Sequence, residues 1–207
     1  MWGLRELAGV RPLGNIPPVV QVAFKEWAVV VDALGRGEQI FVLRKGGIHE
    51  GRGGFVVEHS EFLLFPTLFH QQRESVVAAA QRRFDEISPT FPEPGTLRLE
   101  YWAQLIEWRR INSLEMLGNL IGQHIWRDDV LRERFDWGTE QGVFGLVLRV
   151  FQLPAPLEMP LLPRYGGCRS WVTLDGNVDT SAGRPVLSDN AFQSKLERFR
   201  RSVVEFQ

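Results

Sequence analysis

Hydrophobic and polar positions alternate most regularly over Leu97–Ile111. Leu97, Leu99, Tyr101, Ala103 and Leu105 fall on one side, with Arg98, Glu100, Trp102 and Gln104 on the other. A period of two predicts a long strand with one buried face. Gly142–Leu153, GVFGLVLRVFQL, is mostly β-branched or aromatic and predicts a buried strand whose one charge is Arg149. Pro154, Pro156, Pro160 and Pro163 are expected to stop regular structure after it, since proline lacks the N–H that a ladder needs. Shorter apolar runs at Ile40–Leu43, Phe55–Val57, Phe62–Phe65 and Cys168–Leu174 predict further strands, the first two as arms of a hairpin.

Helical spacing marks other stretches. Phe24, Trp27, Val30, Val31 and Leu34 predict a helix over Val19–Leu34, ended by Gly35-Arg36-Gly37, although the β-branched Val29–Val31 would also suit a strand. Gln71–Phe84 predicts a helix with Val76, Val77, Ala80 and Phe84 inward, and Leu114–Ile125 another that Gly118 and Gly122 weaken. Asp128 or Asp129 caps a short helix over VLRERF. Ser188 or Asp189 caps a last one, with Phe192, Leu196, Phe199 and Val203 along one stripe. Trp27, Trp102, Trp108, Trp126 and Trp137 are expected in the core, and Arg73, Arg82, Arg83, Lys195, Arg198, Arg200 and Arg201 on solvated helix faces. Strands joined by short turns, with helices inserted unevenly, predict an α+β fold: a mixed, mainly antiparallel sheet or a small, partly closed β-barrel with flanking helices. The expected division is a lead-in over 1–18, a single α+β domain over 19–187, and a C-terminal amphipathic helix over 188–207 packed on it.

Composition narrows the function classes. The 207 residues carry a net charge of −1, so any nucleic-acid contact must come from a local basic patch. One cysteine excludes an intrachain disulfide and, with an N-terminus lacking the apolar stretch of a signal peptide, points to the cytoplasm. No apolar run is long enough for a membrane helix.

The candidate chemistry concentrates in Gln39–Thr67. The connector RKGGIHEGRGG holds five of the chain's twenty glycines beside Arg44, Lys45 and Arg52. Backbone amides at Gly46 and Gly47 let an anion approach while the cations supply charge, but neither GxxxxGK[ST] nor GxGxxG is present. A solvated hairpin loop is the alternative reading. Glu58, His59, Glu61, His70 and Gln71 could serve acid–base chemistry or simply hydrogen-bond the sheet; Glu58, Glu61 and His70 are the catalytic candidates. HxH and HExxH are absent, so no metal and no cofactor are expected. A second patch, RYGGCRSW, offers Arg164, Tyr165 and Arg169 to a phosphate or base. Its Cys168 is either a nucleophile or a small buried thiol.

FKEWAVVVDALGRGEQIFVLRKGGI, EFLLFPTLFHQ, HIWRDDVLRERF, LRVFQLP and RYGGCRSWV together resemble an uncharacterised bacterial domain-of-unknown-function family over roughly residues 20–174. That resemblance implies no established activity. ALGRGEQIFVLRKG is in addition similar to the start of ASCH domains, in the pseudouridine-synthase-and-archaeosine-transglycosylase (PUA-like) superfamily. The similarity implies a small β-barrel associated with RNA or modified nucleotides. Where that pattern has a lysine and then a glutamate before its arginine, this chain has Gln39 and Val42 before Arg44. The leading expectation is RNA or nucleotide binding by Arg44, Lys45, Gly46, Gly47 and Arg52, with Arg164, Tyr165 and Arg169 approaching from the second loop. A hydrolase or nuclease using the His/Glu cluster, or a protein-interaction module using the C-terminal helix, are the alternatives.

Overall fold

The structure, a computed structural model, describes residues 19–45, 57–167 and 169–204. Among these residues the centre is one seven-stranded, mostly antiparallel sheet in the order β2-β5-β4-β3-β1-β6, with β7 beside β5. The strands are β1 (Val19–Trp27), β2 (Phe41–Arg44), β3 (Glu61–Thr67), β4 (Thr96–Ile111), β5 (Val143–Pro160), β6 (Trp171–Asp179) and β7 (Arg184–Pro185). Among the described residues only the β1–β3 pair is parallel. The helices are α1 (Ala28–Gly35), α2 (Gln71–Glu74), α3 (Ala78–Ile87), α4 (Leu114–Asn119), α5 (Asp128–Asp136) and α6 (Asp189–Ser202). The fold is α+β, as expected.

The sheet is open but rolled. Four strand spacings separate β2 from β1, about 19 Å if the sheet were flat. Yet the Arg44 guanidinium lies 4.5 Å from the Phe24 ring centroid and donates to the Lys25 carbonyl. An arginine cannot span that gap, so the sheet must curl until β2 approaches β1. Register shifts in β1 and at two points of the β4–β5 ladder supply the bends. One apolar cluster, including Phe24, Val42, Phe62, Ala103 and Leu148, fills the inside of the roll and continues under α1, α3 and α6. A second, with Ala23, Leu63, Leu99, Trp102 and Val172, covers the other face.

Local patterns misread the chain at four places, each for a tertiary reason. Val19–Leu34 is a strand and then a helix. Val19–Trp27 is held between β3 and β6, and those ladders outweigh the helical spacing of its apolar residues. The stretch 71–84 breaks into α2 and α3 because Val76 bridges to Trp126 and the Val77 amide donates to the Ile125 carbonyl at 2.8 Å. β5 continues to Pro160. Pro154 and Pro156 sit where the ladder jumps from Gln152↔Tyr101 to Leu157↔Leu99, so no ladder bond is asked of them. The first of the two shifts in β4 also changes the phase of its alternation. Leu97, Leu99 and Trp102 join one cluster while Tyr101, Ala103 and Leu105 pack against the other.

Smaller differences follow. α4 ends at Asn119, and Gly122 has φ +77°, a left-handed turn. Trp137, expected in the core, is 73% exposed beyond the end of α5. β2 pairs with β5. Of the expected second arm only Val57 is among the described residues, and it lies in no strand. α6 begins where the sequence indicates, with the Ser188 hydroxyl accepting from the Ala191 amide at 3.3 Å, and it buries Phe192, Leu196 and Phe199.

Candidate functional site

Lys25, on β1, is where the two basic segments meet. Its backbone carbonyl accepts from Arg44, its amide donates to the Ser170 carbonyl at 2.8 Å, and its ammonium donates to the Gly167 carbonyl at 3.1 Å. The end of β2 and the loop before β6 therefore converge on one strand position. Beneath them Glu26 is 5% exposed, lies 3.4 Å from the Arg44 guanidinium, and accepts the Trp27 amide at 2.8 Å. Arg134, on α5, donates to the Leu43 carbonyl at 3.0 Å and lies over Trp27. Burial pushes the Arg134 pKa down; Glu26 opposes that and Arg44 adds to it. Two guanidiniums thus share one buried carboxylate, leaving an excess of positive charge.

The candidate ligand-binding residues differ sharply in how far they are already engaged. Arg44 is committed to Lys25, Glu26 and Phe24. Lys45 donates to the carbonyls of Phe135 and Glu140, both at 2.6 Å, tying the end of β2 to the loop after α5. Arg164 is exposed and ion-paired with Asp175. Tyr165 is 2% exposed, and its hydroxyl accepts from the Asp175 amide at 3.1 Å, so its ring is core and not a stacking platform. Arg169 is exposed, and the Ser170 carbonyl next to it accepts the Lys25 amide. Gly46, Gly47 and Arg52 lie outside the described residues, as does Cys168.

The His/Glu candidates do not gather. Glu58 and His59 are 3.9 Å apart, with His59 edge-on to Trp171 at 5.1 Å. Glu61 begins β3 and accepts from Gln104 at 3.0 Å. His70 follows the far end of the same strand, about 20 Å away at strand rise. Among the described residues no group of three or more His, Cys, Asp or Glu side chains is placed to hold a metal ion.

The positions that depart from the ASCH pattern have structural tasks. Gln39 is 1% exposed; its amide donates to the Phe41 carbonyl at 2.9 Å and its oxygen accepts the Ile125 amide at 3.1 Å. Val42 is wholly buried in the core. Neither side chain is available to a ligand.

A half-open cavity, with a volume near 380 Å³, lies elsewhere, between α1, α3, β3 and β4. None of the residues singled out from the sequence as catalytic or ligand-binding candidates lines it. Its charged groups include Asp32 and Arg83, an ion pair 51 residues apart in sequence that no local pattern could reveal.

Residues 23–198 match a family described as a domain of unknown function, DUF1802. The chain belongs to that family. No curated protein matches this DUF1802 chain. A solved structure, a mutant ZmASCH protein from Zymomonas mobilis, is similar to it at 11% identity and a TM-score of 0.40, over 88% of this chain and 98% of the other. No helix among the described residues is long and apolar enough to cross a membrane.

Proposed function

We propose that this DUF1802 chain binds RNA or a nucleotide at the surface around Lys25, with the phosphate held by Lys25 and Arg169 and by the backbone at the end of β2. The observation that carries the reading is the meeting of two basic segments, more than 120 residues apart in sequence, on one residue: Arg44, Gly167 and Ser170 all bond to Lys25. The buried Glu26 offsets only part of the charge of Arg44 and Arg134. His59, half-exposed against Trp171, offers a ring edge beside the basic surface for a base to contact.

Because Arg44, Lys45 and Arg164 already have internal partners, the chain neutralises few phosphates. Two to three contacts to a single strand give a log–log salt slope of about −2. Fluorescence anisotropy of a labelled oligoribonucleotide, titrated at several salt concentrations, measures it. Arg169→Ala, at an exposed position, should weaken binding and flatten the slope by about 0.7. Salt-independent affinity, or an Arg169→Ala chain that binds like the parent, would overturn the proposal.

A further inference from the structure

The cavity between α1, α3, β3 and β4 has features of a built site. On a regular strand Glu100 and Tyr101 would point to opposite faces. The register shift between Leu99 and Tyr101 turns both into the same cavity, together with Arg98. Irregularities of this kind re-aim side chains next to binding sites. The Tyr101 ring in turn needs Gly35, since a Cβ there would lie 2.3 Å from Tyr101 Cζ. A volume near 380 Å³ lies in the range of small-molecule pockets.

The charges inside decide what class of ligand fits. Three carboxylates (Asp32, Glu86 and Glu100) line the cavity against two guanidiniums, Arg83 and Arg98. Both guanidiniums are already neutralised. Arg83 holds Asp32 through two bonds, of 2.8 and 3.2 Å, and also pairs with Glu86; Arg98 lies 2.9 Å from Glu100. An anion would have to break these pairs. A carboxylate, by contrast, has about four acceptor sites and can take a further donor while keeping its arginine. Glu86 and Glu100 remain open enough to do so, at 61% and 38% side-chain exposure. Apart from Thr90 the rest of the wall is apolar or aromatic, with Phe91, Pro92, Pro66, Leu64 and Val31 among it. The Tyr101 hydroxyl registers the same field. Burial raises its pKa, Glu100 and Asp32 raise it further, and Arg36, which pairs with Asp32, opposes them.

We propose that this cavity binds a small organic cation built on a flat apolar ring. The ring enters among Phe91, Tyr101 and the two prolines, and its charged or N–H-bearing end meets Glu100 and Glu86. Aromatic faces and acidic oxygens act together on such a ligand, since a cation is drawn to both. The site is separate from the basic surface around Lys25, and either can fail without the other.

The test uses matched ring probes on the full chain: benzamidinium, benzoate and benzyl alcohol, at constant ionic strength. Amide chemical shifts in the ¹⁵N-labelled protein report both place and affinity. Benzamidinium should shift amides of α3, the 90–92 turn and residues 98–101, and bind roughly fivefold to tenfold more tightly than benzoate or benzyl alcohol. Glu100→Gln should remove most of that preference while leaving the melting temperature unchanged, and Arg169→Ala should leave it intact. Equal binding of the cation and either other probe would overturn the proposal, as would shifts confined to another surface. If Glu100→Gln perturbs folding, Phe91→Ala provides the second variant, and unaltered benzamidinium affinity there would also sink the assignment.

Discussion

Lowering the pH from 7.5 to 5 loads one buried side chain, His124. It is 9% exposed, set edge-on to Phe41 at 6.2 Å and tilted against Trp126 at 5.7 Å. Neither ring nitrogen makes a well-formed hydrogen bond, the nearest interaction being with the Trp126 backbone. Burial pushes its pKa from 6.5 down to about 4, outweighing the opposing effects of Asp128 and of the Trp126 backbone. A histidine with a depressed pKa stays neutral in the fold while the unfolded chain takes up the proton. Stability is therefore unaffected above about pH 7, falls as pH drops from 6.5 towards 4, and falls no further through this group below that. Taking 6.5 unfolded and about 4 folded, linkage gives a loss of about 2 kcal/mol at pH 5 and a limit of about 3 kcal/mol. Carboxylates held low by arginine, Asp85 by Arg73 and Asp129 by Arg127, act in a more acidic window, where protonation removes what stabilisation they give. The two effects separate on the pH axis. Urea unfolding at pH 7.5, 6 and 5, compared between the parent and His124→Leu, measures the histidine term. The parent should lose about 2 kcal/mol more than His124→Leu over that range. Equal pH slopes in the two chains would refute the reasoning.

Three further perturbations test the frame. Gly35→Ala places a Cβ within 2.7 Å of three Tyr101 ring and hydroxyl atoms, so it should cost about 1–3 kcal/mol and weaken benzamidinium binding, read by thermal melting and titration. Gln39→Ala leaves the Ile125 amide and the Phe41 carbonyl without their side-chain partner in the interior, a loss of about 1–3 kcal/mol in denaturant unfolding; an unchanged midpoint would show that the amide clamp is idle. Arg44→Met strands the buried Glu26 beside Arg134 alone and removes the link across the rolled sheet, so melting should drop by several degrees, and Arg44→Met/Glu26→Gln should recover part of it.

What the sequence disclosed and what it hid divide along one physical line. β4, β5 and α6 were readable because a long period of two, a β-branched run and a capped helical stripe are local signals that their tertiary setting reinforces. β1 was not readable: Phe24, Trp27 and Leu34 keep helical spacing, yet neighbouring strands on both sides hold Val19–Trp27 extended. Nor was the shift in β4, since nothing in LRLEYW announces that the ladder will skip. The basic residues of the two loops were legible as chemistry, but their commitments were not. Lys45 was expected to meet phosphate, and its ammonium instead holds two carbonyls near α5. The cavity escaped altogether, because Asp32, Arg83 and Glu100 come from three elements and each alone looks like an ordinary surface charge.

One short helix connects the two candidate sites. α1 follows directly on β1, which carries Lys25 and Glu26, and presents Asp32 to the cavity a turn later. It is buried along most of its length, with Ala28, Val29, Val30, Val31, Ala33 and Leu34 all inside. A buried, close-packed helix does not deform locally; it shifts as a body or not at all. Asp32 is held at its far end by Arg83 of α3, and Arg44 holds its near end through Lys25 and Glu26. Occupying the cavity therefore bears on the helix that directly follows the strand carrying Lys25. Coupling between the sites, if the two ligands prefer different placements of α1, would appear as a changed affinity for oligoribonucleotide in saturating benzamidinium. By linkage the reverse titration must then show the same factor. Identical affinities in both directions mean that α1 stays where its core contacts hold it, and that the two sites act independently.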